Sequence, residues 1–133
     1  MRILIVDDDH ATRLCLVKVL TPAGEVDNAC NGQEALEAFE RALTEGRPYS
    51  LVCMDICMPG LDGQQALKGL RALEASHAVP AGKEVKVVMV SSCDDTGNVC
   101  EAYFHGQADG FVKKPLRMDD FRNELRKVGF LLP

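Results

Sequence analysis

Ile3-Leu4-Ile5-Val6-Asp7-Asp8-Asp9 opens the chain with four apolar residues, mostly β-branched, stopped by three carboxylates. A run this short and this apolar reads as a strand covered on both faces, as in a parallel sheet. The rest of the chain alternates in the same way between short apolar runs and longer stretches of helical period. From about Ala11 to Leu20 the apolar positions Leu14, Val17 and Leu20 recur at helical spacing, and Pro22 and Gly24 close that segment. A weaker strand is expected over Glu25 to Ala29. Asn31 suits an N-cap, and Ala35, Leu36, Phe39 and Leu43 make one face of a helix ending at Gly46. Leu51 to Met54 is the next buried strand and stops at Asp55. A helix is expected from Gly63 to about Ala75, with Leu67, Leu70 and Leu73 on one side, followed by a loop over Ser76 to Lys83. Val85 to Val90 is the most strand-like run, a helix from about Asp94 to His105 follows, and Phe111-Val112 marks a last short strand. Met118, Phe121, Leu125 and Val128 step at three and four residues as a final amphipathic helix. Five β-α units in succession imply a parallel sheet with helices on both faces, and right-handed crossovers bring all strand C-termini to one rim.

The 133 residues fit a single domain, 1–133, and a composition of 47% hydrophobic and 26% charged residues can bury a real core. The formal net charge of −5 argues against nucleic acid and favours a protein partner or a small cation. No stretch approaches the roughly 20 apolar residues of a membrane span, and the start of the chain lacks the pattern of a secretory signal, so a cytoplasmic location is expected. None of the six cysteines forms a C-x-x-C pair, and the three histidines are scattered, so zinc spacing is missing. Cys15, Cys30 and Cys100 read as packing residues and Cys53 as a core thiol beneath the rim. His10, His77 and His105 read as exposed or locally bonded.

The polar chemistry gathers at the strand ends. Asp7 and Asp8 follow the first strand, Asp55 ends the third, Ser91 and Ser92 follow the fourth, and Lys114 follows the fifth. Each also has a plain structural reading: an acidic turn that caps a helix, a strand-end carboxylate, a capping serine, a surface lysine. Their arrival at one rim from four segments favours a shared site. Crowded carboxylates repel one another, and burial would raise at least one pKa. A divalent cation resolves that conflict, and Mg2+ takes oxygen ligands while needing only one or two carboxylates directly. With Lys114 adding compensating charge, Asp55 could act as a carboxylate nucleophile on phosphorus.

At this point the runs ILIVDDD (3–9), LVCMDICMPGLDG (51–63), VVMVSS (87–92) and DGFVKKP (109–115) together resemble the response-regulator receiver domains of two-component signalling, in a stand-alone form similar to the chemotaxis regulators. The resemblance covers essentially the whole chain. It implies an α/β flavodoxin-like fold, (βα)5, with strand order 2-1-3-4-5. It makes Asp55 the phosphoacceptor, with Mg2+ bound by Asp8 directly, by Asp7 mainly through water, by Asp55, and by the backbone carbonyl of Cys57. Ser91 and Lys114 would contact the phosphoryl group, Phe111 would be the aromatic switch, and Lys114-Pro115 would be a cis peptide. The implied partners are a histidine kinase or phosphotransfer protein and a downstream protein target. The target would engage the face built from the fourth helix, fifth strand and fifth helix, with homodimerisation left open and neither nucleic acid nor membrane involved.

Departures from the family pattern carry expectations of their own. Asp9 is a third acidic residue and reads as a helix-start charge. Phe111 has no hydroxyl, so its two rotamers would differ by packing. Cys57 and Cys93 lie two residues past Asp55 and Ser91, where the family tunes phosphoryl lifetime, and two thiols there imply slow hydrolysis; they also could form a redox pair. Two rival readings fare worse. An aspartyl phosphatase resembles a D-x-D arrangement, but Cys57 stands where its acid–base aspartate would be. A flavin binder would carry a Ser/Thr/Gly-rich phosphate loop after the first strand, where three aspartates stand instead. The expectation is a switch rather than an enzyme with an external product.

Overall fold

Strand formation follows the apolar runs. The computed structural model describes residues 1–56, 58, 60–91 and 108–130. Five strands, β1 (Arg2–Val6), β2 (Glu25–Ala29), β3 (Leu51–Asp55), β4 (Lys86–Ser91) and β5 (Gly110–Lys113), form one sheet in the order β2-β1-β3-β4-β5. Every pairing is parallel, as continuous apolar runs predict. The described helices are α1 (His10–Leu20), α2 (Gly32–Thr44), α3 (Gly63–Ser76) and α4 (Met118–Lys127), with a 3-10 turn over Thr21–Ala23. The helix expected over 94–105 lies outside the described residues, as do Cys57, Cys93, Cys100 and His105. Among the described residues no helix is long and apolar enough to cross a membrane.

The two-residue period of the strands divides the core between two layers. Leu4, Val6, Val52, Met54, Val87 and Met89 face α2 and α3, meeting Ala35, Phe39, Ala66, Leu67 and Leu70. Ile3, Ile5, Leu51, Cys53, Val88 and Val112 face the other way, against Leu16 and Leu20 of α1 and Phe121 and Leu125 of α4. Burial pushes the Cys53 thiol up to about 12, so it is an inert core group.

Three helices begin at the rim where the strands end, each with a side-chain cap. Asp9 accepts from Ala11 N at 3.2 Å and from Thr12 Oγ1 at 2.6 Å. Asn31 accepts from Glu34 N at 2.9 Å, while Asp62 and Gln65 form a reciprocal capping box at the start of α3.

Two expectations are corrected. Leu14 is 49% exposed, and α1 buries Leu16 beside the expected Leu20, with Val17 partly buried against the same layer. Nearly every position from Leu14 to Leu20 is apolar, so the period alone did not select the stripe that meets the sheet. Cys15 and Cys30 are exposed, not packing residues. The sequence also gave no sign that Glu74 is buried. Its carboxylate accepts from Val85 N at 2.7 Å and pairs with Arg71 at 2.8 Å, fastening α3 to the start of β4.

Candidate functional site

At the C-terminal rim, β1 delivers Asp7 and Asp8 while its neighbour β3 ends on Asp55. Carboxylate oxygens of these three residues lie within 4.8 Å of one another, a group that could hold a metal ion. Asp7 and Asp55 are only 1% and 3% exposed, whereas Asp8 is exposed. Lys114, just past β5, reaches across β4 to place Nζ 3.0 Å from Asp7 Oδ2 and 3.5 Å from Asp55 Oδ2. Burial alone would lower the pKa of this ammonium; its close pairing with Asp7 and the charge of Asp55 outweigh that, and the net shift is upward. The lysine is therefore a fixed cation.

Among the described residues one ammonium pairs with two of the three carboxylates, so the cluster retains excess negative charge. Asp7 Oδ1 is occupied by Asp9 N at 2.8 Å. Its buried Oδ2 accepts no well-directed hydrogen bond and meets the Lys114 ammonium as an ion pair. Among the described residues, Asp8 presents its carboxylate to solvent without a partner. A buried oxygen lacking a directed donor, beside an open carboxylate, is a donor set that suits a hard, oxygen-seeking cation such as Mg2+.

The backbone around Asp55 is held as tightly. Ile56 N donates to Val90 O at 2.9 Å, and Gly63 N donates to Ile56 O at 2.9 Å. A Cβ at Gly63 would overlap the carbonyl oxygen of Asp55 and lie 2.7 Å from Ile56 Cα, so only glycine admits this approach of α3 to the strand end. Gly63 was legible as a helix start; the contact with Asp55 was not.

The remaining expected residues divide in two. The Lys114–Pro115 peptide is cis, as the resemblance implied. Phe111 is half-buried, packed against the layer that holds α2 and α3, and its N–H donates to Glu124 Oε1 of α4 at 3.1 Å. Ser91 pairs with Lys113 in the β4–β5 register, which puts its backbone at the same rim. The side chain of Ser91, and Cys57 and Cys93 altogether, lie outside the described residues. Sequence reasoning missed Arg13, whose Nη1 donates to the Asp7 carbonyl at 2.6 Å. Its position one turn into α1 was the only available signal.

Comparison with known proteins bears on this geometry. The family model described as response regulator receiver domain matches residues 3–126. The chain is 34% identical to the two-component response regulator ORR41 of Oryza sativa subsp. japonica, over 99% of this chain and 91% of that protein. It is 33% identical to the chemotaxis protein CheY of Bacillus subtilis, over 96% of each. It also aligns with much longer signalling proteins, of whose lengths it spans 9%, 7% and 15%. Among solved structures, the receiver domain of the Arabidopsis thaliana histidine kinase CKI1, complexed with Mg2+ and BeF3−, superposes with a TM-score of 0.78. That match has 28% identity and covers 96% of this chain and 89% of the other.

Proposed function

The chain belongs to the response regulator receiver domain family, phosphorylation-activated switches of two-component signalling, and from that premise we propose that Asp55 is its phosphoacceptor. The observation that carries this reading is the meeting of Asp7, Asp8 and Asp55 within 4.8 Å beside the Lys114 ammonium.

Mg2+ would be held by Asp8, by Asp55, by Asp7 through water, and by the backbone carbonyl of Cys57. When bound, it screens the charge that builds on the peripheral phosphoryl oxygens. The chain's own residues supply the rest. An Asp55 carboxylate oxygen attacks phosphorus; a new O–P bond forms as the P–N bond of a donor phosphohistidine breaks, and the electron pair leaves with the imidazole. Lys114, already between Asp7 and Asp55, turns its charge toward the incoming phosphoryl oxygens, and Ser91 contributes a hydroxyl hydrogen bond. Contacts to the phosphoryl group then favour one arrangement of the Ser91 strand end and the Phe111 ring over the other, which is how a local charge change becomes a signal.

The donor would be a histidine kinase or phosphotransfer protein. The output would be contact with a protein target on the face that includes β5 and α4, with a homodimer as an alternative use of that face. A cytoplasmic location fits this role, and so does a single domain spanning 1–133 that works as a switch without an external product.

Incubation with a small phosphodonor and Mg2+, followed by intact mass, tests the assignment. Wild type gains one phosphoryl group and Asp55→Asn gains none; modification of both alike would sink Asp55 as acceptor.

A further inference from the structure

We propose that Arg13 is a positioning residue for the metal-binding carboxylates: it grips the peptide joining Asp7 to Asp8 and thereby aims Asp8. This inference rests on the Mg2+ reading of the Asp7, Asp8 and Asp55 cluster.

Every polar group of Asp7 is engaged. Its N–H donates to Ala29 O at 3.1 Å, Oδ1 accepts from Asp9 N at 2.8 Å, and Oδ2 faces Lys114 Nζ at 3.0 Å. The remaining group, the main-chain carbonyl, lies past the last residue of β1, where no ladder partner follows. Arg13 takes it. The residue sits in the first turn of α1, its own N–H donating to Asp9 O at 3.1 Å, and its side chain folds back toward the strand end. There Nη1 donates to Asp7 O at 2.6 Å, and Nη2 lies 3.3 Å from His10 Nδ1.

The Asp7 carbonyl and the Asp8 nitrogen belong to one rigid plane. Fixing the oxygen fixes the direction in which Asp8 leaves the chain. Asp8 needs that help most, because among the described residues its carboxylate has no hydrogen bond of its own. Asp7 and Asp55 are steered by burial and by Lys114, whereas Asp8 is steered only through its backbone. Partners that orient metal ligands in this way commonly alter metal affinity ten- to a hundredfold, on the order of magnitude seen when they are removed.

Charge and positioning make opposite demands here. As a cation near the cluster, Arg13 repels Mg2+, so charge alone predicts tighter binding when it is neutralised. As a positioning residue it predicts weaker binding. Titration of Mg2+ into the folded protein by calorimetry, at fixed ionic strength, separates the two. Arg13→Met, neutral and without a donor, is expected to weaken Mg2+ binding roughly tenfold. Arg13→Lys keeps a charge and one donor and is expected to stay within about threefold of wild type, on the same scale. Tighter or unchanged binding by a folded Arg13→Met protein overturns the proposal. So does a variant that melts earlier yet binds Mg2+ as wild type does, since that marks a merely structural residue. Should Arg13→Met fail to fold, Arg13→Gln, whose shorter amide stops short of the carbonyl, gives the same comparison with the same expected sign. The Mg2+ reading itself is checked separately by wild type against Asp8→Asn. If wild type shows no saturable binding, or Asp8→Asn binds equally well, the metal assignment has failed, and the Arg13 inference with it.

Discussion

Two positions beyond Asp55 the chain carries Cys57, and if Asp55 is the acceptor proposed above, a thiol at that position is expected to lengthen the life of the phosphoryl group. Loss of an aspartyl phosphate needs a water that attacks phosphorus while the bond to the Asp55 oxygen breaks and inorganic phosphate departs. A thiol is a weak hydrogen-bond donor and, uncharged, orients that water poorly. Asparagine offers an amide that can. Replacing Cys57 by Asn is therefore expected to shorten the phosphoryl half-life several-fold, on the order of what a single oriented hydrogen bond contributes. The decay of phosphorylated protein followed by intact mass measures it, and an unchanged half-life counts against Cys57 as a determinant. At this scale the sequence disclosed the residues whose side chains meet at the rim, because Asp7, Asp8, Asp55 and Lys114 stand at or just past the ends of apolar runs. It did not disclose Arg13 or Gly63, whose effect passes through the backbone of another residue. A donor to a carbonyl, or a missing Cβ beside one, leaves no periodic trace.

Among the elements, α4 and α1 make an instructive pair. In α4 the polar residues between Phe121 and Leu125 leave one possible face, and those two side chains are buried as their spacing predicts. In α1 the apolar positions run nearly all round, so the Leu14, Val17, Leu20 series held for Leu20 and in part for Val17, while packing in the layer of Ile3 and Ile5 took Leu16 in place of Leu14. The difference has a measurable size. Leu16→Ala removes a fully buried side chain and is expected to lower unfolding stability by about 2–5 kcal/mol. Leu14→Ala should change it by less than about 0.5 kcal/mol. Urea unfolding of both variants checks the assignment, and equal losses would contradict it. The opposite end of the sheet carries a network of another kind. Asp27 of β2 accepts from Tyr49 at 2.7 Å and from Arg2 of β1 at 2.9 Å. Burial would raise its carboxyl pKa, but these two partners outweigh burial and hold it below the ordinary 3.8. A carboxyl whose folded pKa is depressed stabilises the fold above its unfolded value and loses that contribution as pH falls through the folded one. The stability gap between wild type and Asp27→Asn is thus expected to be constant at neutral pH and to close below about pH 3.8. Unfolding midpoints across that range test it, and a gap independent of pH would show that shape, not charge, matters at this position.

For the molecule as a whole, the five-stranded parallel sheet concentrates its electrostatic tension at one rim. β1, β3 and β4 are apolar between their ends, so the middle of the sheet is held by burial. The rim collects Asp7, Asp8 and Asp55 from two strands against a single reaching lysine. A fold that gathers like charge in its ligand-free state is less stable than its core would allow, and it recovers that stability when a cation binds the native form but not the unfolded chain. Mg2+ should accordingly raise the unfolding free energy of wild type without saturating abruptly, by about 2.7 kcal/mol when free Mg2+ stands a hundredfold above its dissociation constant. Asp8→Asn separates the two halves of this argument, because it removes one charge from the cluster together with one ligand. In the absence of Mg2+ that variant is expected to be more stable than wild type, since repulsion falls while the core is untouched. In its presence the order should reverse as the concentration rises, since wild type continues to gain and the variant does not. The crossing of the two stability curves, read from urea unfolding at graded MgCl2 and matched with a NaCl series of equal ionic strength, is the diagnostic. Parallel curves, or a crossing reproduced by NaCl, would mean that the three carboxylates are merely an acidic patch screened by any salt, and that the rim holds no specific metal.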